Sequence, residues 1–84
     1  MRLPIIKHII DFVDQNDEDW VVETIEFLEH MSEAKGIKDE ELDVIGELLS
    51  NMYGALEVHK EVKNGTPQKD ALNGFMKRVM GSIN

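Results

Sequence analysis

Residues 40–63, EELDVIGELLSNMYGALEVHKEVK, decide the fold. On a helix that turns by about 100° per residue, the apolar side chains of this stretch cover roughly half of the circumference. They are Leu42, Val44, Ile45, Leu48, Leu49, Met52, Tyr53, Ala55, Leu56 and Val62. A surface helix needs a narrower apolar face than this. We therefore predict that this helix is the central one and contacts more than one neighbour.

Three further segments combine helix start signals, helix stop signals and apolar periodicity. The predicted helices span residues 3–14, 17–34, 40–63 and 67–82. Gly65 is expected to end the central helix in the left-handed conformation, and Thr66 and Pro67 to begin the last helix. The pattern predicts an all-α fold, a compact bundle of four helices that forms one helical domain over residues 1–84.

The central helix carries a row of small residues, Gly46, Ser50 and Gly54. Glycine inside a helix costs about 1 kcal/mol relative to alanine, so the row needs a reason. Residues four apart form one ridge of a helix, and a ridge without side chains leaves a groove for another helix. Asp43 and Glu47 lie on the same side. We predict a helix-contact groove, which the first helix, the fourth helix or a helix of a second copy would fill.

The last helix offers a second candidate close contact. Gly74 and Gly81 are seven residues apart and therefore share a face of the helix. Absent side chains on one face again favour close approach of another backbone.

Charge is distributed unevenly along the chain. Residues 11–47 hold 14 acidic side chains and two lysines, a net charge of -12, whereas the remainder has a net charge of +4. The total of -8 disfavours nucleic acids and anionic membranes as partners and favours a basic protein surface or the basic part of a second copy. Lys69, Lys77 and Arg78 on the last helix are too few to form a stripe that follows phosphates.

The residue inventory indicates a protein that is not an enzyme. The chain has no cysteine, and His8, His30 and His59 occur one to a helix without a neighbouring nucleophile. No Glu-x-x-His pair, phosphate loop or calcium loop occurs. We therefore predict no catalytic, cofactor-binding or metal-binding residues and no small-molecule substrate.

Before Lys7 no apolar run exceeds four residues, which is too short for a signal peptide or membrane span, so we expect a cytoplasmic protein.

Two long stretches carry a family resemblance. They are ELDVIGELLSNMYGALEVHKEVKNGTPQKDALNGFMKRVMGSI at residues 41–83 and LPIIKHIIDFVDQNDEDWVVETIEFLE at residues 3–29. Together they resemble a family of small uncharacterised all-helical proteins of Bacteroidetes bacteria, over nearly the whole length. The resemblance implies no assigned activity. It also implies that the gene for this protein lies near the genes for thioredoxin and peroxiredoxin. For a chain without cysteine, it then implies the role of a non-catalytic partner.

Two functions agree with these observations. The first is a non-catalytic protein–protein interaction or assembly module that forms a homo-oligomer through its helix faces. The alternative is an acidic monomeric adaptor that binds a basic or redox-protein surface, such as one linked to thioredoxin or peroxiredoxin.

Overall fold

The structure, a computed structural model, describes residues 2–81, and for residues 80 and 81 the backbone alone. It contains four helices: α1 (Leu3–Gln15), α2 (Asp19–Met31), α3 (Asp39–Lys63) and α4 (Gln68–Gly81). No strand occurs in this part of the chain. The predicted all-α bundle is confirmed. Residue 82, where the last helix was expected to end, lies outside the described residues.

Helix α2 is shorter at both ends than the predicted span of residues 17–34. The carboxylate of Asp17 accepts the backbone N–H of Asp19 at 3.0 Å, so Asp17 belongs to a turn that precedes the helix. After Met31 the Ala34 N–H is donated to the Met31 carbonyl at 3.1 Å, which is the three-residue spacing of a turn. The hydroxyl of Ser32 also donates to the carbonyl of Glu29 at 2.6 Å. Local hydrogen bonds of this kind compete with the helical pattern.

Helix α3 supports the other three helices, as its wide apolar arc predicts. Helices α1, α2 and α4 each pack against it. One core cluster joins α1, α3 and α4 and contains Ile6, Ile10, Ala55, Val58, Ala71, Leu72 and Phe75. A second cluster joins α1, α2 and α3 and contains Val13, Val21, Ile25 and Met52. The bundle is flat, with extents of 43 × 35 × 17 Å, so its thinnest direction holds no more than two helix layers.

Gly65 closes α3 with a positive φ of 105°, as predicted. The N–H of Thr66 is donated to the carbonyl of Glu61 at 3.1 Å, which satisfies one of the last free carbonyls of the helix. A residue with a Cβ would be strained in this conformation. The chain therefore reverses within a few residues and brings α4 back along α3.

Asn51 fixes the start of α1 against the middle of α3. Its side chain is 1 % exposed. The Oδ1 atom accepts the backbone N–H of Arg2 at 2.8 Å, and Nδ2 donates to the carbonyl of Glu47 at 2.8 Å. Both ends of the buried amide are thus satisfied, which holds the first turn of α1 in a defined position.

Candidate interaction surface

Helix α2 buries only part of its apolar arc. Val21 and Ile25 pack inward against α3, whereas Trp20 and Phe27 are each 61 % exposed. With Thr24 and Met31, which are also exposed, these two rings form a row at positions 20, 24, 27 and 31, which we call the α2 stripe. The spacing of four, three and four residues keeps the stripe on one face of the helix.

A groove lies beside the first half of the α2 stripe. It has a volume of about 420 Å³ and is lined by Ile5, His8, Ile9, Phe12, Trp20, Val21, Thr24, Leu48 and Met52. Helix α1 forms one wall, α2 the other, and α3 the floor. Phe12 on the α1 wall is 45 % exposed, and Leu48 on the floor is also exposed. We call this space the α1–α2 groove.

The groove exists because α1 and α2 are both held by α3. The chain between the two helices is only three residues long, from Asn16 to Glu18, so they start close together. Each then turns buried side chains towards α3, as the cluster of Val13 and Val21 with Met52 shows. The sides of α1 and α2 that face each other across the groove are largely apolar, and no other helix in the described part of the chain closes the groove from outside.

The predicted row Gly46, Ser50 and Gly54 does not lie under a single helix. A Cβ at Gly54 would be 2.9 Å from Phe75 Cζ and 3.3 Å from Ile6 Cδ1, so α4 and α1 both approach this residue closely. A Cβ at Gly46 would meet nothing within 4 Å, and Ser50 is half-buried. The row therefore runs from the core of the bundle onto its surface.

The remaining candidate residues lie apart from that contact. Asp43 and Glu47 are exposed. A Cβ at Gly74 would have only Arg78 Nη1 nearby, at 3.9 Å, which is ordinary packing. Gly81 is the last residue of α4, and its surroundings lie outside the described part of the chain.

Tyr53 and Glu29 link the far side of α2 to α3. Loss of solvent around the ring, and then the hydrogen bond to Glu29 and its negative charge, raise the pKa of the Tyr53 phenol above its ordinary value of 10.0. The pair lies on the outer edge of the α2–α3 contact, where Tyr53 remains half exposed.

A polar cluster that sequence reasoning missed lies where α1 passes into α2. His59 Nε2 is 3.6 Å from Asp14 Oδ1, and His59 Nδ1 is 3.7 Å from Glu18 Oε2. Lys63 Nζ lies 3.7 Å from Glu18 Oε1. Because 41 or more residues separate the two sides of this cluster in the chain, no sequence spacing indicates it.

The described residues meet the requirements of neither a metal site nor a membrane-spanning helix. Among residues 2–81, no group of three or more His, Cys, Asp or Glu side chains could hold a metal ion. Within the same range, none of the four helices has the length and apolar character needed to cross a bilayer. The α2 stripe and the α1–α2 groove together carry the exposed side chains of Phe12, Trp20, Phe27, Met31 and Leu48.

The model of a family of unknown function, DUF6952, matches residues 1–84. Neither a curated protein nor a solved structure matches the chain.

Proposed function

We propose that this chain, which belongs to the DUF6952 family of unknown function, is a non-catalytic assembly module that self-associates through its helix faces. One observation carries the proposal: no helix among residues 2–81 covers the exposed side chains of the α2 stripe and the α1–α2 groove beside it. Trp20, the only tryptophan of the chain, begins the α2 stripe, lines the groove and is mostly exposed. Exposed apolar patches rimmed by polar residues mark interaction sites.

The size of the face supports a contact between two proteins. An aromatic side chain has about 150–250 Å² of surface, so the exposed parts of Phe12, Trp20 and Phe27 together amount to roughly 300 Å². Ile5, Ile9, Met31 and Leu48 extend the face on α1, α2 and α3. A stable interface buries about 800 Å² on each partner, so this face would form the apolar centre of such an interface and the polar side chains around it would supply the remaining area.

A second copy of the chain would cover this apolar face, and no other partner protein then has to be assumed. A chain of 84 residues hides only about 60–65 % of the surface that its unfolded form exposes, so association adds burial that the monomer lacks. The net charge of -8 works against close contact of two copies. The contact is therefore expected to be apolar at its centre with the acidic side chains kept at its edge.

Light scattering after size-exclusion chromatography tests this function. We expect the mass of the wild type to rise towards that of a dimer between micromolar and millimolar concentration. The emission of Trp20 should shift to shorter wavelength over the same range, because its indole loses contact with water. A monomer mass and unchanged emission across the whole range would contradict self-association.

A matched pair of variants connects the association to the surface. Phe27→Glu places a charge on the α2 stripe and should keep the protein monomeric. Val22→Glu changes an exposed apolar residue of the same helix on the opposite side and should leave the mass unchanged. Circular dichroism confirms that both variants fold. Equal effects of the two substitutions would exclude the stripe as the contact.

The acidic segment at residues 11–47 favours a second candidate function. A monomeric adaptor would use these carboxylates to bind a basic surface, including that of a redox protein related to thioredoxin or peroxiredoxin. Binding of this kind should weaken steeply as salt rises, because exposed charge pairs are screened within about 10 Å at 0.1 M. We also propose a cytoplasmic location, on the sequence of the first residues, and an origin in Bacteroidetes, which the family resemblance implies.

A further inference from the structure

We propose that the α1–α2 groove and the α2 stripe bind a basic amphipathic helix of a partner protein. The inference rests on the second candidate function, the binding of a basic surface, and adds where the partner binds and what shape it has. It does not require self-association. A helix bound there and a second copy would exclude each other, because both would cover the exposed ring of Trp20.

The shape of the groove suits a helix. Helices α1 and α2 form its walls, and the side chains of Leu48 and Met52 on α3 form its floor. A groove between two helices accepts a ridge of side chains from a third helix. The α2 stripe extends this surface from position 20 to position 31, which is about 16 Å, or about three turns, at 1.5 Å per residue. A partner helix therefore needs apolar side chains over about three turns, at the spacing i, i+3, i+4 and i+7.

Carboxylates follow the outer flank of the α2 stripe. Glu23 lies three residues after Trp20 and four before Phe27, so it borders both rings on the helix surface. Asp19 lies four residues before Glu23, and Glu26 lies three residues after it, which places both on the same flank. All three acidic side chains are exposed. Basic side chains on one flank of a bound helix would meet them.

An acidic side chain borders the groove on the α1 side as well. Asp11 is exposed, lies three residues after His8 and precedes Phe12, and both of these neighbours line the groove. Residues 8–34, which form nearly all of the two walls, hold nine acidic side chains and neither lysine nor arginine. Negative charge thus lies on both sides of an apolar strip. We call four of these side chains the rim carboxylates: Asp11, Asp19, Glu23 and Glu26.

The rim carboxylates have no basic partner in the described part of the chain. Arg78 lies 3.0 Å from Glu61 and 3.2 Å from Glu57, and Lys63 lies 3.7 Å from Glu18. Within residues 2–81, no basic side chain lies at ion-pair distance from a rim carboxylate. Lysine and arginine side chains on the flanks of a bound helix would supply the missing positive charge, whereas an acidic surface would be repelled. The charge around the groove therefore identifies the partner helix as basic.

Two designed peptides test the site. The first has about 16 residues, with leucines at the spacing i, i+3, i+4 and i+7 and lysines elsewhere. The second has the same composition but alternates leucine and lysine, so it has no apolar helix face. Neither contains tryptophan, so Trp20 alone reports binding. At micromolar protein concentration we expect the first peptide, and not the second, to shift the emission to shorter wavelength. Equal binding of the two peptides, or no binding of the first, would overturn the helix-binding site.

Paired substitutions test the rim carboxylates. Glu23→Gln combined with Glu26→Gln should weaken binding of the first peptide about fivefold, because two exposed ion pairs are lost. Glu40→Gln combined with Asp70→Asn changes the net charge equally on α3 and α4 and should weaken binding less than about twofold, because distant charges are screened. Equal weakening by the two pairs would show that overall charge, and not the rim, attracts the peptide.

Substitution of Phe12 tests the apolar contact. Phe12→Ala removes a ring that lines the groove and should weaken binding of the first peptide about tenfold. Val22→Ala shortens an exposed apolar side chain of α2 outside the groove and should leave binding unchanged. Circular dichroism checks that both variants fold, and Thr24→Glu, which places a charge in the groove, replaces Phe12→Ala if that variant does not. Wild-type binding by the folded groove variant would overturn the site.

The outcomes distinguish this inference from the function on which it rests. Equal, salt-sensitive binding of both peptides overturns the helix-binding site alone and leaves the binding of a basic surface in place. Failure of both peptides to bind at low salt overturns the helix-binding site and the second candidate function together. Self-association is measured without peptide, so neither result decides it.

Discussion

The ring of Phe75 lies directly against the α-carbon of Gly54. A Cβ at position 54 would be 2.9 Å from Phe75 Cζ and 3.0 Å from Phe75 Cε2, closer than carbon atoms pack. We predict that Gly54→Ala lowers the free energy of unfolding by up to about 2 kcal/mol, because the overpacking cost of about 1–3 kcal/mol exceeds the propensity gain of about 1 kcal/mol. Urea denaturation followed by circular dichroism measures the change.

Gly46 provides the matched control on the same helix. Nothing lies within 4 Å of a Cβ at this position, so Gly46→Ala should raise the free energy of unfolding by up to about 1 kcal/mol. In a Phe75→Leu background, Gly54→Ala should lower the free energy of unfolding by less than it does in the wild type, because the ring that meets the added Cβ is absent. Equal stabilisation by both alanines would show that no close contact exists at Gly54.

Replacement of Asn51 should lower the free energy of unfolding, although its side chain is uncharged. Asn51→Leu keeps a similar volume but leaves the backbone N–H of Arg2 and the carbonyl of Glu47 without the amide that now pairs with them. A hydrogen bond contributes about 0.5–1.5 kcal/mol, so the loss of both should lower the free energy of unfolding by about 1–3 kcal/mol, measured by thermal or urea denaturation. Asn73→Leu on the exposed face of α4 is the control and should change stability little. A neutral Asn51→Leu would mean that water replaces the amide.

Tyr53 allows a direct titration because it is the only tyrosine of the chain. Its phenol should ionise above pH 10, since loss of solvent and the neighbouring Glu29 both disfavour the anion. The folded state thus favours the neutral phenol, and this contribution to stability, present below the ordinary pKa, is lost as pH rises through the raised pKa. Ultraviolet absorbance should show Glu29→Gln moving the pKa part of the way towards 10.0, whereas Glu26→Gln leaves it in place. A pKa at or below that ordinary value in the wild type would contradict the pair.

Salt should strengthen self-association at pH 8. Two chains of net charge -8 repel each other, and the Debye length falls from about 14 Å at 0.05 M salt to about 4 Å at 0.5 M. Sedimentation equilibrium should therefore give a lower dissociation constant at the higher salt. Stronger association at low salt would instead show that ion pairs across the contact dominate its stability.

Periodicity was sufficient to predict the fold but not to assign the outer surface. The wide apolar arc of α3 predicts its central place, and the Gly65–Pro67 turn predicts the reversal into α4. On α2, however, Trp20 and Val21 belong to the same apolar arc, and only the position of α3 decides that one is exposed and the other buried. A helical wheel shows which side is apolar, not how much of that side the rest of the chain covers.

The small-residue row illustrates the same limit at a single site. The pattern predicts a close approach of helices, and Gly54 has one, but the partner depends on where Phe75 falls after the Gly65 turn. Gly46 belongs to the same row and lies on the surface. The contact of His59 with Asp14 and Glu18 joins residues too far apart in the chain for any spacing rule to detect.

Helices α1, α2 and α4 all pack against α3, so the buried contacts that each makes with α3 determine which helix unfolds locally first. Helix α2 is held by two buried side chains of its own, Val21 and Ile25, whereas α1 and α4 share the larger cluster with α3. Protection against hydrogen exchange should therefore be graded, lowest in α2 and highest in the middle of α3, since local opening follows the density of buried contacts. Detachment of α2 would leave the α1–α3–α4 core intact as a separate cooperative unit.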